Sequence, residues 1–186
     1  MSIIVLYRGR RGAGKTLTMV KDGLKYYLDG WKVYTNMYSI QYATRLEEEE
    51  ILALADTDGF RDCIVMIDEI QTLIDSRRSM RKANVGFNYF LQQIRKRNVN
   101  LLATTQYSRR VDLGFREQLD IIVSPKMITL NSGKKLVEVN YQDLTTEEEG
   151  LPAISRRLVY DPTTIFGLYD TEERITAVKT KEKGEA

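Results

Sequence analysis

The chain has 186 residues, enough for one domain with a substantial core, and 28 Lys/Arg against 26 Asp/Glu leave a net charge of only +2. It contains no histidine and a single cysteine, Cys63, which excludes histidine acid–base chemistry, His-ligated zinc, an intrachain disulfide and a cysteine metal cluster. No apolar run approaches the roughly 18 residues that a membrane-spanning helix needs. The chain passes from Met1-Ser2 directly into an apolar run, which predicts no secretion signal and a cytoplasm-like compartment.

Ile3-Ile4-Val5-Leu6-Tyr7 is short, apolar and β-branched, as a buried parallel strand requires. Gly9-Arg10-Arg11-Gly12-Ala13-Gly14-Lys15-Thr16 then matches the phosphate-binding pattern G-x-x-x-x-G-K-[ST] in full. Glycines let the backbone turn tightly, so that N–H groups from Gly9, Gly12, Ala13 and Gly14 through to Leu17 face phosphate oxygens at the positive end of a helix. Lys15 is placed to reach the β- and γ-phosphates of ATP, and the Thr16 hydroxyl to ligate Mg²⁺. Leu17, Val20, Leu24 and Leu28 carry the helical spacing of the next element, which Gly30 ends. Trp31 to Thr35 reads as a second strand running into Asn36. Ala43 to Ala55 reads as a helix with Leu46, Ile51, Leu54 and Ala55 inward and Glu47-Glu48-Glu49-Glu50 as a solvated face. Asp56 to Gly59 reads as a turn.

Cys63-Ile64-Val65-Met66-Ile67-Asp68-Glu69 is a buried strand delivering two carboxylates at its C-terminal edge, the edge on which α/β sheets bind ligands. This is the Walker B form: Asp68 to hold Mg²⁺, and Glu69 to polarise the attacking water. Nucleotide kinases transfer a phosphoryl group to a substrate hydroxyl and do not need that second carboxylate. Cys63 reads as a small core residue. Ser76 to Asn84 is polar and basic, a loop by composition, and Phe87 to Arg97 is an amphipathic helix ending in Arg95-Lys96-Arg97. Asn100 to Thr105 is the next strand, ending at Gln106, whose amide is placed to contact the γ-phosphate or the lytic water. Ser108 to Arg116 is an arginine-rich loop and turn, and Leu119 to Val123 a fifth strand stopped by Pro125. Met127 to Leu130 and Leu136 to Val139 flank Asn131-Ser132-Gly133-Lys134 as a hairpin. Asp143 to Glu149 is an acidic connector. Pro152, Pro162 and Thr164 to Tyr169 mark an irregular extension packing on the sheet, and the charged residues 179–186 a disordered tail. These elements predict one α/β domain over residues 1–178: a P-loop NTPase of the RecA-like kind with a mostly parallel sheet flanked by helices (core 3–123) and a C-terminal β-hairpin extension (124–178).

Charge is unevenly distributed. Between Arg77 and Arg116 stand ten Lys/Arg (Arg77, Arg78, Arg81, Lys82, Arg95, Lys96, Arg97, Arg109, Arg110, Arg116) against one acid, Asp112. Such a block is the electrostatic footprint of a polyanion partner, and Arg77, Arg78, Arg81 and Lys82 are the residues placed to grip DNA phosphates without reading sequence.

GRRGAGKT, IVMIDE, RKRNVNLLATTQ and an arginine-containing turn about ten residues later together resemble the FtsK–HerA superfamily of DNA-translocating P-loop ATPases. Within it the chain is similar to the genome-packaging ATPases of membrane-containing icosahedral viruses, a likeness the tail Phe166-Gly167-Leu168-Tyr169-Asp170-Thr171 shares. Val33-Tyr34-Thr35-Asn36 and the Gln106 strand also resemble the Zot-type ATPases that assemble filamentous phage. The resemblance covers about Ile3 to Val123. It implies a homo-oligomeric ring, pentamer or hexamer, around double-stranded DNA, with ATP and Mg²⁺ at subunit interfaces. Lys15 and Thr16 are then the Walker A pair, Asp68 and Glu69 the Walker B pair, and Gln106 the sensor. An arginine comes from the neighbouring subunit: Arg116 first, with Arg97, Arg109 and Arg110 as alternatives. It further implies capsid-vertex or membrane-vesicle proteins as partners, and the host cytoplasm and the virion's packaging vertex as locations. The alternatives are a Zot-like assembly ATPase, a nucleotide-dependent switch, and a small-molecule or nucleotide kinase.

Overall fold

A computed structural model of the chain describes residues 2–57, 60–75, 81–106, 113–146 and 152–170, with the backbone alone at 48, 73–75, 81–86, 88 and 113. Its strands are β1 (Ile4–Arg8), β2 (Lys32–Thr35), β3 (Thr44–Arg45), β4 (Cys63–Ile67), β5 (Asn100–Thr105), β6 (Ile121–Thr129), β7 (Lys135–Asp143) and β8 (Ile154–Tyr160). Its helices are α1 (Lys15–Leu28), α2 (Glu48–Ala53), α3 (Ile70–Asp75), α4 (Arg81–Lys96) and α5 (Leu113–Arg116). The strands form one sheet in the order β3-β2-β4-β5-β1-β6-β7-β8. All pairs from β3 to β6 are parallel, and β6-β7-β8 continue as an antiparallel meander. This is the α/β, mostly parallel, helix-flanked sheet that the alternation of apolar strands and amphipathic helices predicts.

Side-chain alternation explains the two layers. Ile4, Leu6, Val65, Ile67, Leu101 and Ala103 face the core under α4 (Phe87, Phe90, Leu91, Ile94) and α5 (Phe115). Val5, Tyr7, Ile64, Met66 and Leu102 face the core under α1 (Leu17, Met19, Val20). Helix α1 lies so close to β4 that a β-carbon at Gly23 would stand 2.1 Å from Met66 Sδ. On its other side, Asp22 Oδ2 accepts from Tyr7 Oη of β1 and Tyr141 Oη of β7, both at 2.9 Å, and its Oδ1 lies 2.8 Å from Lys21 Nζ. Burial and the Asp22 carboxylate push both phenols above their ordinary pKa. Cys63 is a buried free thiol, raised to about 12 mainly by burial.

Four expectations change. The segment from Ala43 is not helical until Glu48: Thr44 and Arg45 pair with Tyr34 and Thr35 as a short edge strand. Two of the four glutamates then start the helix, in a reciprocal capping box in which the Glu47 side chain accepts from the Glu50 backbone and Glu50 Oε2 accepts from Glu47 N at 2.7 Å. Residues 81–84, expected in a loop, open α4, consistent with the helix preference of Arg, Lys and Ala. Their neighbours 76–80 lie outside the described residues. Pro125 does not stop β6. The bonds Leu130 N to Lys134 O and Leu144 N to Asp120 O make the even-numbered residues of β6 the hydrogen-bonded ones, so Pro125, opposite Val139, needs no N–H toward β7. On its other side the pairing with β1 ends at Val123. Finally, 154–160, expected to be irregular, form the edge strand β8, so the expected hairpin is present as β6–β7 and extended into a three-stranded meander.

Candidate active site

Strands β1, β2, β4 and β5 are parallel neighbours, so their C-terminal ends bring Gly9–Thr16, Asn36, Asp68-Glu69 and Gln106 to one edge of the sheet. These segments line an open cleft of about 880 Å³, which includes Gly12, Gly14, Lys15, Thr16, Leu17, Asp68, Glu69 and Gln106. The glycine loop is built on left-handed backbone: Gly12 has φ 75° and Gly14, the N-cap of α1, φ 93°. A β-carbon at Gly14 would meet Val137 at an ordinary 3.5 Å, so it is the left-handed backbone that favours glycine there. Lys15 is almost buried, and its Nζ donates to the Arg10 carbonyl at 3.3 Å. Gly9 and Ala13 stand in the same loop, where Ala13 N also donates to Arg10 O at 3.2 Å. Arg10 and Arg11 are exposed, and Arg11 lines the cleft.

Asp68 is the centre of the polar network. Its Oδ1 accepts from Thr16 Oγ1 at 2.8 Å and from Thr104 Oγ1 at 2.7 Å. Its backbone is gripped at both ends by one side chain: Asp68 N donates to Asn36 Oδ1 at 2.9 Å and Asn36 Nδ2 to Asp68 O at 3.0 Å. Burial pushes the Asp68 carboxyl above the usual range, and the Thr104 and Thr16 hydrogen bonds partly offset this. The donor set fits Mg²⁺: a hydroxyl and a carboxylate in contact, both hard oxygens, beside a loop shaped for phosphates. Thr16 and Asp68 would hold the ion, whose charge would offset that of the phosphate oxygens.

Glu69 takes a backbone conformation rare for a side-chain-bearing residue, φ 53°. It is held there by Glu69 N donating to Thr104 Oγ1 at 2.9 Å and by Thr72, whose N and Oγ1 reach the Glu69 carbonyl at 2.8 and 3.0 Å. Both carboxylate oxygens are engaged by amides: Oε1 by Gln106 Nε2 at 2.7 Å, and Oε2 by Gln71 Nε2. Gln71 Oε1 in turn accepts from Thr105 Oγ1 at 2.9 Å. The cleft therefore offers, in sequence, a phosphate cradle, a hard-cation site and a carboxylate able to orient water.

Asn36, Gln71, Thr104 and Thr105 were not among the residues expected to build the site. The signal for Asn36, Thr104 and Thr105 lay in their positions at the C-terminal ends of predicted parallel strands. Of the candidate arginines, Arg97 and Arg116 are not brought to this cleft within one chain. Arg97 Nη1 donates to Thr57 O, and Arg97 O accepts from Asp62 N, beside the start of β4. Arg116 is exposed at the end of α5, just before the start of β6. Both sit at the opposite edge of the sheet from the glycine loop. Arg109 and Arg110 lie outside the described residues, as do Arg77 and Arg78, while Arg81 and Lys82 begin α4. Among the described residues no helix is long and apolar enough to cross a membrane.

No protein-family model matches the chain, and no curated protein matches its sequence. Among solved structures it is similar to the N-terminal domain of zonular occludens toxin from Neisseria meningitidis, with a TM-score of 0.61 and 17% identity over 91% of this chain and 100% of that one. It is also similar to the flagellar accessory protein FlaH from Methanocaldococcus jannaschii, with a TM-score of 0.60 and 10% identity over 84% of each chain. Both have P-loop ATPase-like folds, and at these identities the likeness establishes the fold.

Proposed function

We propose that this chain is an ATP-hydrolysing motor subunit that moves double-stranded DNA into a preformed viral capsid. The observation that carries the hydrolytic part is the placement of Glu69. Its carboxylate stands with Gln106 at the same strand edge as Lys15, Thr16 and Asp68, where a water could be aligned on a γ-phosphate. Lys15 would exchange the Arg10 carbonyl for phosphate oxygens, and Asn36 and Thr104 would keep Asp68 and Glu69 in register as the phosphates change. A kinase has no use for a water-directing carboxylate held in this way.

The DNA load is supported by the basic block from Arg77 to Arg116. Ring assembly is supported by the distance of Arg116 and Arg97 from their own cleft along the sheet: an arginine from this edge reaches a γ-phosphate only in another copy. Such an arginine is worth roughly 10³–10⁵-fold in turnover. The similarity to the zonular occludens toxin domain over that domain's full length favours a second reading, a Zot-like assembly motor with a protein load. ATP hydrolysis measured with and without double-stranded DNA tests the proposal. Turnover stimulated by DNA and lost in Lys15→Ala is expected; turnover indifferent to DNA transfers the load to protein, and no turnover under any condition removes the motor reading.

A further inference from the structure

The phosphate chemistry accounts for only part of the cleft. Its lining also includes Met127 of β6 and Phe166, Tyr169 and Asp170, which follow β8. The chain leaves β8 at Tyr160 and makes two short 3₁₀ turns, Pro162–Thr164 and Phe166–Leu168. The first turn is fastened at Asp161, whose Oδ1 accepts from Thr163 N at 3.0 Å and whose Oδ2 lies 2.7 Å from Lys134 Nζ of the β6–β7 turn. Pro162 and Ile165 are buried, and Leu168 and Tyr169 pack against the core under α1. Phe166 is thus gripped on both sides along the chain, yet its ring is 46% exposed where it lines the cleft. Tyr169, three residues on, is partly buried and carries a phenol O–H.

A nucleotide bound at Gly9–Thr16 has a fixed direction. Its γ-phosphate must face Glu69 and Gln106, so the α-phosphate and nucleoside leave the loop on the side away from them. The cleft's volume is within the ~300–1,000 Å³ typical of small-ligand sites, more than a triphosphate alone requires. Strands β6 to β8 lie on the far side of β1 from β4 and β5, which carry Glu69 and Gln106, and from β6 and the turn after β8 the cleft is lined by the thioether of Met127 and the ring of Phe166.

We infer that the segment Phe166–Tyr169 is the nucleoside-binding wall of the site, with the Phe166 ring as the stacking face for the base. This rests on the reading of Gly9–Thr16 as the phosphate cradle. An aromatic face recognises the π-surface of a base rather than its edge, so it supplies affinity for nucleoside triphosphates over bare polyphosphate with little preference between purines. It also makes the C-terminal segment, anchored through Lys134 to the meander, a direct contact of the bound nucleotide.

The test is calorimetric titration of Mg-ATP, Mg-GTP and Mg-tripolyphosphate into the wild-type chain and into Lys15→Ala, Phe166→Ala and Phe166→Leu. Phe166→Ala is expected to weaken both nucleotides by about 5- to 150-fold, the range for loss of a base–aromatic stack. Tripolyphosphate affinity should stay within about twofold of wild type, and Phe166→Leu, which keeps apolar contact without the ring, should lie between. Lys15→Ala should weaken all three ligands. If Phe166→Ala leaves ATP affinity unchanged, or weakens ATP and tripolyphosphate in equal proportion, the wall is wrong while the cradle stands. If Phe166→Ala does not fold, Phe166→Leu decides by the same comparison. Wild type that binds tripolyphosphate as tightly as ATP also removes the wall alone; wild type that binds none of the three removes the cradle with it.

Discussion

Replacing Glu69 by Gln separates the chemistry of this site from its binding. The substitution keeps size and removes the charge that, in the proposed mechanism, polarises water. Positioned bases contribute about 10²–10⁴-fold, so the barrier should rise by roughly 3–5 kcal/mol at 1.36 kcal/mol per tenfold. The structure adds a second effect. Two amide donors, Gln106 Nε2 and Gln71 Nε2, converge on the two carboxylate oxygens, and a Gln at 69 offers only one oxygen. One amide must then face an NH₂ group. Gln71 is tied by Thr105 Oγ1 to its own carbonyl oxygen, so Gln106 is the side chain freer to turn over. Losing one hydrogen bond to a charged group costs about 1.5–3 kcal/mol, partly recovered by that rotation. A melting temperature lower by about 2–6 °C is therefore expected for a chain of this size. Phosphate release, binding of a fluorescent ATP analogue and a thermal melt measure the three quantities. Turnover within about threefold of wild type would refute the base assignment, and joint loss of ATP binding would assign Glu69 to binding.

Asp68→Asn should abolish Mg²⁺-dependent nucleotide binding yet raise the melting temperature of the free protein at pH 7 by roughly 2–6 °C. The folded state raises the Asp68 pKa, so it binds more protons than the unfolded chain between the two values, and wild-type stability falls as pH rises through that window. The advantage of the Asn variant should accordingly vanish below about pH 4; a constant gap across pH would place its origin elsewhere. Gly23→Ala gains about 1 kcal/mol of helix propensity but drives a methyl into Met66 Sδ and to 3.2 Å from Tyr42 Oη, an overpacking cost of about 1–3 kcal/mol. A net loss near 1 kcal/mol, read as a fall of about 2–4 °C in a melt, is expected; a rise would show that Met66 yields freely. Mixing Arg116→Ala with Lys15→Ala subunits should restore part of the ATPase activity that each lacks alone, and no recovery at any ratio would pass the role to Arg97, Arg109 or Arg110.

The centre of the parallel half was legible because β1, β4 and β5 are buried on both faces and read as largely apolar runs ending in a chemical residue. The Gly9–Thr16 loop and Asp68-Glu69 carry their geometry in their spacing. The C-terminal meander was not legible in the same way. In β8, Ser155, Arg156 and Arg157 are exposed and only Leu158 and Tyr160 turn partly inward, so no hydrophobic period marks the strand. Pro125 looks like a terminator until register shows that its nitrogen points away from β7. Thr44-Arg45 is a strand only because β2 offers an edge to pair with, a contact the local sequence does not contain. The roles of Thr104 and Thr105 depend on their reaching Asp68 and Gln71 from the neighbouring strand, and sequence distance hides that.

The shared carboxylate of Asp22 has a consequence for how the chain comes apart. One oxygen serves phenols from the first strand in sequence, β1, and from β7, Tyr7 and Tyr141, and separating the meander from α1 would break the Tyr141 bond and open the buried Asp22–Tyr7 pair. The meander therefore cannot peel away at low free energy while the parallel core persists. Unfolding should be a single cooperative transition with coincident loss of helix and strand signals, and a chain truncated after Leu130, which lacks β7 and with it Tyr141, should melt well below the whole rather than survive as an independent core.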